Sequence, residues 1–398
     1  LDAQIADVQK QPASDAQKKE LAALTKERDA LKKATRLVMV TQALAEPRTV
    51  RVLPRGNWLD DTGPVAEPAV PAFLGKLPVN RRATRLDLAN WLTDPKDGAG
   101  GLTARVFVNR LWYLFFGAGL SKSLEDFGGQ GEPPVHPELL DRLALDFARQ
   151  WDVKQIVKLI VLSRAYQQSS AGPAGLKERD PENRLFSHQS TWRLPAESIR
   201  DGALFVSGLL TLDVGGRTAK PYQPAGFYKH LNFPKREYVS DADARQWRRG
   251  VYVHWQRQYL HPMLKAFDAS TREECAAQRA RSNTPLAALV LLNDPTFVEA
   301  ARVLGQRALA EGGETDVERV AFAFRQVTSR APDETEAKVL ARVLEKNRAA
   351  YKADPRAAAE LLKIGLSPLP KGADATELAA WAGVARALLN LSETITRE

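Results

Sequence analysis

The sequence predicts a mainly α protein: a multi-helix globular domain with a small β element and an N-terminal coiled-coil hairpin. Apolar residues recur at helical spacing through most of the chain after Arg81. Capping residues or prolines stand where several of these patterns begin, as helix N-termini prefer. The period-two alternation that predicts strands is confined to two short segments. The sum is a mostly helical fold with little sheet.

Residues 1–35 predict the N-terminal hairpin. Two amphipathic helices are joined near Pro12, and Ser14 with Gln17 forms a capping-box start for the second. That helix carries apolar residues at near-heptad spacing, namely Leu21, Leu24, Leu31 and Val38. Two such helices alone bury little surface, so we expect them to be the end of a longer coiled segment. The remainder, 36–398, is predicted to be the main, mostly helical domain.

Residues 46–80 differ from the rest of the chain. In "PRTVRVLPRG", Val50 and Val52 alternate with polar or charged residues, which predicts a short strand. The proline-rich "TGPVAEPAVPAFLGKLP" that follows predicts an extended segment on the surface, because proline and the residue before it disfavour helix.

The main domain is read as a series of helices. The predicted segments are RLDLANWLTDP, LTARVFVNRLWYLFFGAGL, HPELLDRLALDFARQW, DVKQIVKLIVLSRAY, LPAESIRDGALFVSGLL, NTPLAALVLLN, DPTFVEAARVLGQRALAEGG, and residues 314–330, 333–353 and 374–391. Residues 211–270 are less regular, and within them "GVYVHWQRQ" predicts a strand with Val251, Val253 and Trp255 on one face.

Composition limits the classes of function. The 398 residues include 57 Lys and Arg against 48 Asp and Glu, so the net charge is +9, which fits an anionic partner without requiring one. No nucleic-acid-binding signature is visible, and no apolar run approaches the roughly 20 residues of a membrane-spanning helix. The chain begins Leu1-Asp2-Ala3 without an initiator Met or signal peptide, and we expect it to be a piece of a longer protein or a mature form.

The single cysteine, Cys275, excludes an internal disulfide, a thiolate zinc cluster and haem attachment through a Cys-x-x-Cys-His motif. Its setting, "STREECAAQRA", predicts a helix in which the thiol is buried or idle.

The stretch "DFGGQGEPPVHPELLD", residues 126–141, opens like the magnesium-binding turn of protein kinases. The glycine-rich phosphate loop, strand lysine and His-Arg-Asp loop that a kinase needs are missing. We instead predict a rigid corner, in which Gly128, Gly129 and Gly131 turn through positive φ and prolines lead into a helix near His136. Such corners often carry function because the scaffold holds their side chains still.

The segment "LTARVFVNRLWYLFFGAGLSKSLEDFGGQGEPPVHPELLDRLALDF" resembles the large planctomycete surface proteins that carry a cytochrome c domain and a C-terminal domain of unknown function, family fifteen-fifty-three. Similar stretches continue to the end of the chain, among them "RLPAESIRDGALFVSGLL", "RRGVYVHWQR", "FDASTREECAAQRARSNTPLAALVLLNDPTFVEAARVL" and "ALLNLSETITRE". The resemblance implies an extracytoplasmic protein, haem only in a domain outside this chain, and a neighbouring secreted sulfatase-like protein. It implies no catalytic residues.

The first candidate site joins the residues Arg105, Asn109, Arg110 and Trp112 to the corner at His136. Arg105 and Asn109 share one face of an otherwise apolar helix, so they must be paired or must face a cleft. They are either a polar network that holds the corner, with Asp126, Glu138 or Asp141 as partner, or a cluster that faces a ligand.

The second candidate consists of Arg193, Glu197, Arg200 and Asp201. Local ion pairs are expected at this spacing, and a paired-carboxylate hydrolase built from Glu197 and Asp201 is the alternative.

The third candidate is "RQWRRGVYVHWQRQYLHP", in which arginines interleave with aromatic residues. Arginines suit sulfate and carboxylate groups, and aromatic faces suit sugar rings. The predicted ligand-binding residues here are Trp247, Arg248, Arg249, Trp255 and Arg257. The alternative places the valines and Trp255 in the core, with the arginines paired to Asp241, Asp243 and Asp268. The histidines are too scattered to predict a metal site.

We therefore expect an extracytoplasmic binding or scaffolding domain of a larger cytochrome-linked protein, acting in polysaccharide or other polymer processing. Expected partners are an anionic glycan, a secreted sulfatase-like protein and the rest of its own polypeptide. One alternative is a hydrolase or redox-coupled enzyme with His136, Glu197 and Asp201 as catalytic candidates. A second is a docking domain for the haem domain. The sequence leaves open whether the chain is an enzyme.

Overall fold

The structure is a computed structural model that describes residues 1–35, 38–172, 175–231 and 235–397. Contacts divide the chain into two compact units, Leu1–Arg85 and Leu86–Glu398. The predicted boundary between residues 35 and 36 stays a prediction, and residue 36 itself lies outside the described residues. Helices make up about 50% of the chain, which confirms the predicted mainly α class.

The first unit begins with two helices that pack on each other, α1 (Asp2–Gln9) and α2 (Asp15–Ala34). Ser14 caps α2 by accepting a hydrogen bond from the Gln17 amide at 3.1 Å. The Gln17 side chain donates to the carbonyl oxygens of Val8 and Gln11, at 2.8 Å each, and so ties the turn to both helices. The helical hairpin is as predicted, and its membership of a longer coiled coil stays a prediction.

The rest of the first unit is irregular, with short 3-10 turns at Pro54–Gly56 and Ala72–Leu74. The strand predicted at Val50 and Val52 is wrong, because the chain here forms a single antiparallel bridge, Arg51 to Val65. Neither valine is buried, so there is no core face to extend the pairing.

The second unit is built from helices. They are α3 (Arg85–Thr93), α4 (Gly100–Phe116), α5 (Pro137–Ala148), α6 (Val153–Val161), α7 (Leu176–Arg179), α8 (Ala196–Ser207), α9 (Pro262–Ala266), α10 (Pro285–Asn293), α11 (Pro295–Glu311), α12 (Asp316–Thr328), α13 (Glu334–Ala353), α14 (Pro355–Leu362), α15 (Ala375–Leu389) and α16 (Ser392–Ile395). The small β element is an antiparallel pair, β1 (Trp192–Arg193) with β2 (Thr396–Arg397). No helix in the described ranges has both the length and the apolar composition that a bilayer crossing requires.

Four apolar clusters hold these helices together. One joins α4, α5 and α6, a second surrounds α8 to α11, a third lies among α11, α12, α13 and α15, and a fourth packs α14 on α15. Helices α11 and α15 approach closely at Gly305, where a Cβ atom would lie 2.9 Å from the backbone nitrogen of Ala382. Any larger residue at 305 would force these two helices apart.

The corner at residues 126–136 has the predicted position but not the predicted backbone. Gly117 ends α4 with φ of +79°, whereas Gly128, Gly129 and Gly131 all avoid positive φ. Gly131 is needed for another reason: a Cβ there would lie 2.1 Å from the carbonyl oxygen of Asp126. The glycine permits a close backbone approach rather than a left-handed turn.

Two further predictions in the second unit are wrong. The segment predicted as a strand forms a 3-10 turn, Gly250–Tyr252, and joins its neighbours through isolated parallel bridges. Val251 is 64% exposed while Val253 is buried, so the two do not share a core face. Cys275 lies outside any helix and is exposed.

Candidate functional site

A cleft of about 730 Å³ lies between the exposed end of α4, the start of α8 and a segment that we call the strap, residues 270–284. The strap has no regular secondary structure up to Thr284, which caps α10. Charged residues of the lining are Arg110, Arg193, Glu197, Asp201, Arg249, Asp268, Arg272, Glu274, Arg279 and Arg281. The cleft is therefore bordered by six arginines and four carboxylates.

The strap is held in place by polar contacts to several elements. Arg279 Nη1 donates to both carboxylate oxygens of Glu197 on α8, at 3.0 and 2.8 Å. Arg110 on α4 donates to the carbonyl oxygen of Ala277 at 3.2 Å. At the other end, the Ser282 amide and hydroxyl both donate to the carboxylate of Asp268. These contacts fix a strap that has no helix or sheet to support it.

Three of the four carboxylates in the lining already accept hydrogen bonds from the protein. Glu197 binds Arg279, and Asp268 accepts from Ser282 and from Arg193. Asp201 accepts from the Gly250 amide at 2.7 Å. These three carboxylates are thus already engaged by hydrogen bonds within the protein.

The arginines are less fully paired. Arg193 and Arg279 form ion pairs with carboxylates, whereas the other four cleft arginines have no ion pair with any described residue. Those four are Arg110, Arg249, Arg272 and Arg281. Arg272 stacks over the Trp255 ring at 3.9 Å, which orders its guanidinium without neutralising it. The lining of the cleft carries an excess of positive charge.

Two acidic groups of the cleft have shifted pKa values in opposite directions. Burial raises the pKa of Asp201, and the Gly250 amide and the Arg200 charge oppose this shift only in part. Burial also disfavours ionised Asp268, but the hydrogen bonds from Ser282 and Arg193 outweigh it, so its pKa is lowered. Of these two groups, Asp201 has the stronger tendency to hold a proton.

The first predicted site is divided by the structure. Asn109 is fully buried and makes two hydrogen bonds to the backbone of Ser121, donating to its oxygen at 2.9 Å and accepting from its nitrogen at 3.0 Å. Arg105 pairs with Asp141 at 2.9 Å, and Trp112 lies in the apolar core. Of this set, Arg110 is the residue that lines the cleft. Arg105 and Asn109 have the partners expected of a network that holds the corner.

His136 lies at the start of α5 without a side-chain capping bond, and its ring lies 6.4 Å from that of Phe186. A smaller pocket of about 230 Å³ at the corner is lined by Arg105 and Ser121, and His136 is not among its lining residues. The structure supplies no partner among the described residues that would make His136 a general acid or base, and its catalytic role stays a prediction.

The second predicted site is brought together in part. Arg193, Glu197 and Asp201 all line the cleft. Arg200 is instead fully buried and donates to the carbonyl oxygens of Arg248 and Gln246, at 2.6 and 2.5 Å. It anchors α8 to the backbone just before the 3-10 turn Gly250–Tyr252.

The third predicted site does not form one exposed surface. Arg248 is only 6% exposed; it donates to the carbonyl oxygens of Asp213, Gly215 and Arg217, and it lies 4.0 Å from the centre of the Tyr252 ring. Because it is buried among carbonyl oxygens, Arg248 has a structural role. Trp247 is half-buried, and Arg245 pairs with Asp241 and Asp243 as the alternative interpretation expected.

Three other residues of the third site are also accessible, fully or in part. Trp255 is half-buried and donates to the carbonyl oxygen of Ser270, while Arg249 and Arg257 are exposed. Arg249 lines the cleft and Arg257 does not. Their binding of a ligand stays a prediction.

Sequence reasoning missed the arginines of the strap, Arg272, Arg279 and Arg281. The signal was present as three arginines within "TREECAAQRARSN", but reading this segment as a helix around Cys275 concealed it. Among the described residues, no three His, Cys, Asp or Glu side chains come together as metal ligands.

Comparison with known proteins places the chain by family. Residues 84–344, more than half of the chain, match the family described as PSD1: Protein of unknown function (DUF1553). No curated protein matches the chain, and no solved structure matches it.

Proposed function

The chain belongs to the DUF1553 family, and from this premise we propose that it is a binding domain whose cleft takes an acidic ligand, with an anionic glycan as the ligand class. The wider setting of this proposal is an extracytoplasmic planctomycete protein with haem in a separate cytochrome c domain. The resemblance of the corner and strap sequences to such proteins supports that setting.

The excess of guanidinium groups in the cleft lining carries the proposal. Four arginines of the lining have no ion pair within the described residues, while three of the four carboxylates are already bonded to the protein. Guanidinium groups bind carboxylate and sulfate groups through paired hydrogen bonds, and they are more weakly hydrated than ammonium groups. An acidic sugar offers those groups on a rigid ring of a size suited to a cleft of about 730 Å³.

A hydrolase is the second candidate, because one observation favours it. Asp201 and Glu197 both line the cleft one helical turn apart, and burial raises the pKa of Asp201 as a general acid requires. Against it, Glu197 is held by Arg279 through both oxygens, which leaves it poorly placed to attack a sugar or activate water. Binding without turnover is the better account of this pair.

The test is a binding titration of the purified protein with three oligosaccharides of equal length. One carries uronic acids, one carries sulfate esters and one is neutral. We expect the acidic ligands to bind, the neutral ligand not to bind, and no reducing ends to be released. Binding of the neutral ligand alone would refute the proposal, and release of reducing ends that is lost in Asp201→Asn would favour the hydrolase.

Two arginine variants test whether the acidic ligand binds in the cleft. Arg249→Gln removes an exposed arginine of the cleft, and Arg257→Gln removes an equally exposed arginine outside its lining. We expect Arg249→Gln to weaken binding of acidic ligands several-fold and Arg257→Gln to leave it unchanged. The reverse result would move the site to the surface around Arg257.

A further inference from the structure

We propose that Arg281, supported by the charge of Arg193, is the subsite of the cleft that takes one carboxylate or sulfate group of the ligand. This inference rests on the proposed function, because it assigns the acidic group of that ligand to particular residues. Both arginines line the cleft, Arg193 from β1 and Arg281 from the strap.

Arg193 is a buried cation with unused donors. Its side chain is 10% exposed, and Nη2 donates to Asp268 at 2.6 Å and to the carbonyl oxygen of Phe267 at 3.2 Å. Its Nε and Nη1 atoms are buried and have no acceptor in the described part of the chain. A guanidinium group has five N–H donors, so most of the hydrogen-bonding capacity of Arg193 is not met by the protein.

Arg281 is an exposed residue whose guanidinium group contacts two aromatic rings. It lies 4.9 Å from the centre of the Tyr113 ring and 5.4 Å from that of Trp192. Its hydrogen bond to the carbonyl oxygen of Gly117 is long, at 3.5 Å, and it has no ion pair among the described residues. The two aromatic contacts restrict the plane of the guanidinium but leave its N–H edges available to a ligand.

The two arginines and their surroundings are short of one negative charge. Asp268 is the carboxylate that faces Arg193, and its oxygens already accept from Arg193 and from both donors of Ser282. One carboxylate therefore stands against two guanidinium groups. Although Arg281 is exposed as a residue, partial burial of its guanidinium lowers its pKa; Tyr113 opposes this shift only in part, and the charge of Arg193 adds to it, so the two cations destabilise each other. A single bound anion would remove that repulsion.

Access assigns different roles to the two residues. The unbonded nitrogens of Arg193 are shielded from solvent, whereas Arg281 is exposed. The ligand's acidic group consequently contacts Arg281, and Arg193 strengthens that contact through its charge. Carboxylate and sulfate share the paired oxygens that this geometry recognises, and the experiment separates them.

The test compares Arg281→Gln with Arg257→Gln in titrations with trigalacturonate and with a sulfated galactan trisaccharide. Arg257 is a matched control, because it is also an exposed arginine but lies outside the lining of the cleft. We expect Arg281→Gln to raise the Kd of the preferred acid about tenfold or more, as the loss of a charge-assisted hydrogen bond implies, and Arg257→Gln to leave it unchanged. The ligand whose affinity falls in Arg281→Gln shows whether the subsite binds a carboxylate or a sulfate group.

A second variant distinguishes a loss of ligand contacts from a loss of structure. Arg281→Lys keeps a positive charge but lacks the planar pair of donors, and we expect about a threefold loss with an unchanged melting temperature. If the wild type binds an acid and Arg281→Gln and Arg281→Lys both bind it within twofold of the wild type, this subsite is wrong and the proposed function stands. If the wild type binds neither acid, the proposed function falls together with the subsite.

Discussion

The two hydrogen bonds of Asn109 to Ser121 make a prediction about what holds the corner in place. Asn109 is fully buried on α4, and Ser121, which follows that helix, is 2% exposed. The side chain of Asn109 satisfies both backbone groups of Ser121, at 2.9 and 3.0 Å. We predict that Asn109→Ala loosens the corner and destabilises the protein, although alanine is the better helix former.

The magnitude follows from the groups that lose their partners. Alanine leaves the Ser121 N–H and C=O groups buried without hydrogen bonds, and each such group costs about 1–3 kcal/mol. The higher helix propensity of alanine offsets roughly half a kcal/mol of this loss in the free energy of unfolding. We expect a net loss of about 3 kcal/mol in the free energy of unfolding, which is a large part of the typical stability of a domain.

Urea unfolding followed by circular dichroism measures this loss. The matched control is Asn90→Ala, which makes the same substitution at an exposed position of α3 and should change the free energy of unfolding by less than about 0.5 kcal/mol. A loss in Asn109→Ala no greater than that in the control would refute the reasoning. In that case the hydrogen bonds to Ser121 would not be what fixes the corner.

Two further predictions concern the glycines of the corner and the pH dependence of stability. Gly131→Ala should destabilise the protein by more than about 1 kcal/mol in urea unfolding, because its Cβ would lie 2.1 Å from the Asp126 oxygen, while Gly129→Ala, which meets no atom within 4 Å, should be neutral or slightly stabilising. Burial lowers the pKa of His261 to about 4, so the unfolded chain takes up a proton before the native protein does as the pH falls. The stability from neutral His261 is therefore complete above about pH 6.5 and is lost between there and about pH 4, by at most about 3 kcal/mol. Unfolding measured across this range should show a smaller pH dependence in His261→Gln, and an equal dependence would contradict the assignment.

The sequence was most informative where local chemistry decides structure. The start of α5 at Pro137 and the break between α10 and α11 at Pro295 lie where the sequence predicts them. Each is set by the φ preference of one residue, which is nearly independent of what packs around it. The fold class followed from these signals and from apolar spacing.

Predictions from the sequence were wrong where contacts with distant segments determine the environment of a residue. Arg248 and Arg249 are neighbours in the chain, yet one is buried among carbonyl oxygens and the other lines the cleft. The two arginines share nearly the same local sequence, so neither hydrophobic periodicity nor composition predicts their different environments. The acceptors of Arg248 come from residues 213–217, more than 30 positions away.

The amino-acid sequence by itself determined the mainly helical class, the starts of several helices and the position of the corner, because these depend on propensities and caps within a few residues. Tertiary structure alone decided that Arg193 of β1, Glu197 of α8 and Arg281 of the strap border one cleft. It also decided which of their charges are already satisfied by the protein. Burial, and ion pairing between segments some 80 residues apart, depend on how the whole chain packs. No single stretch of the sequence therefore determines them.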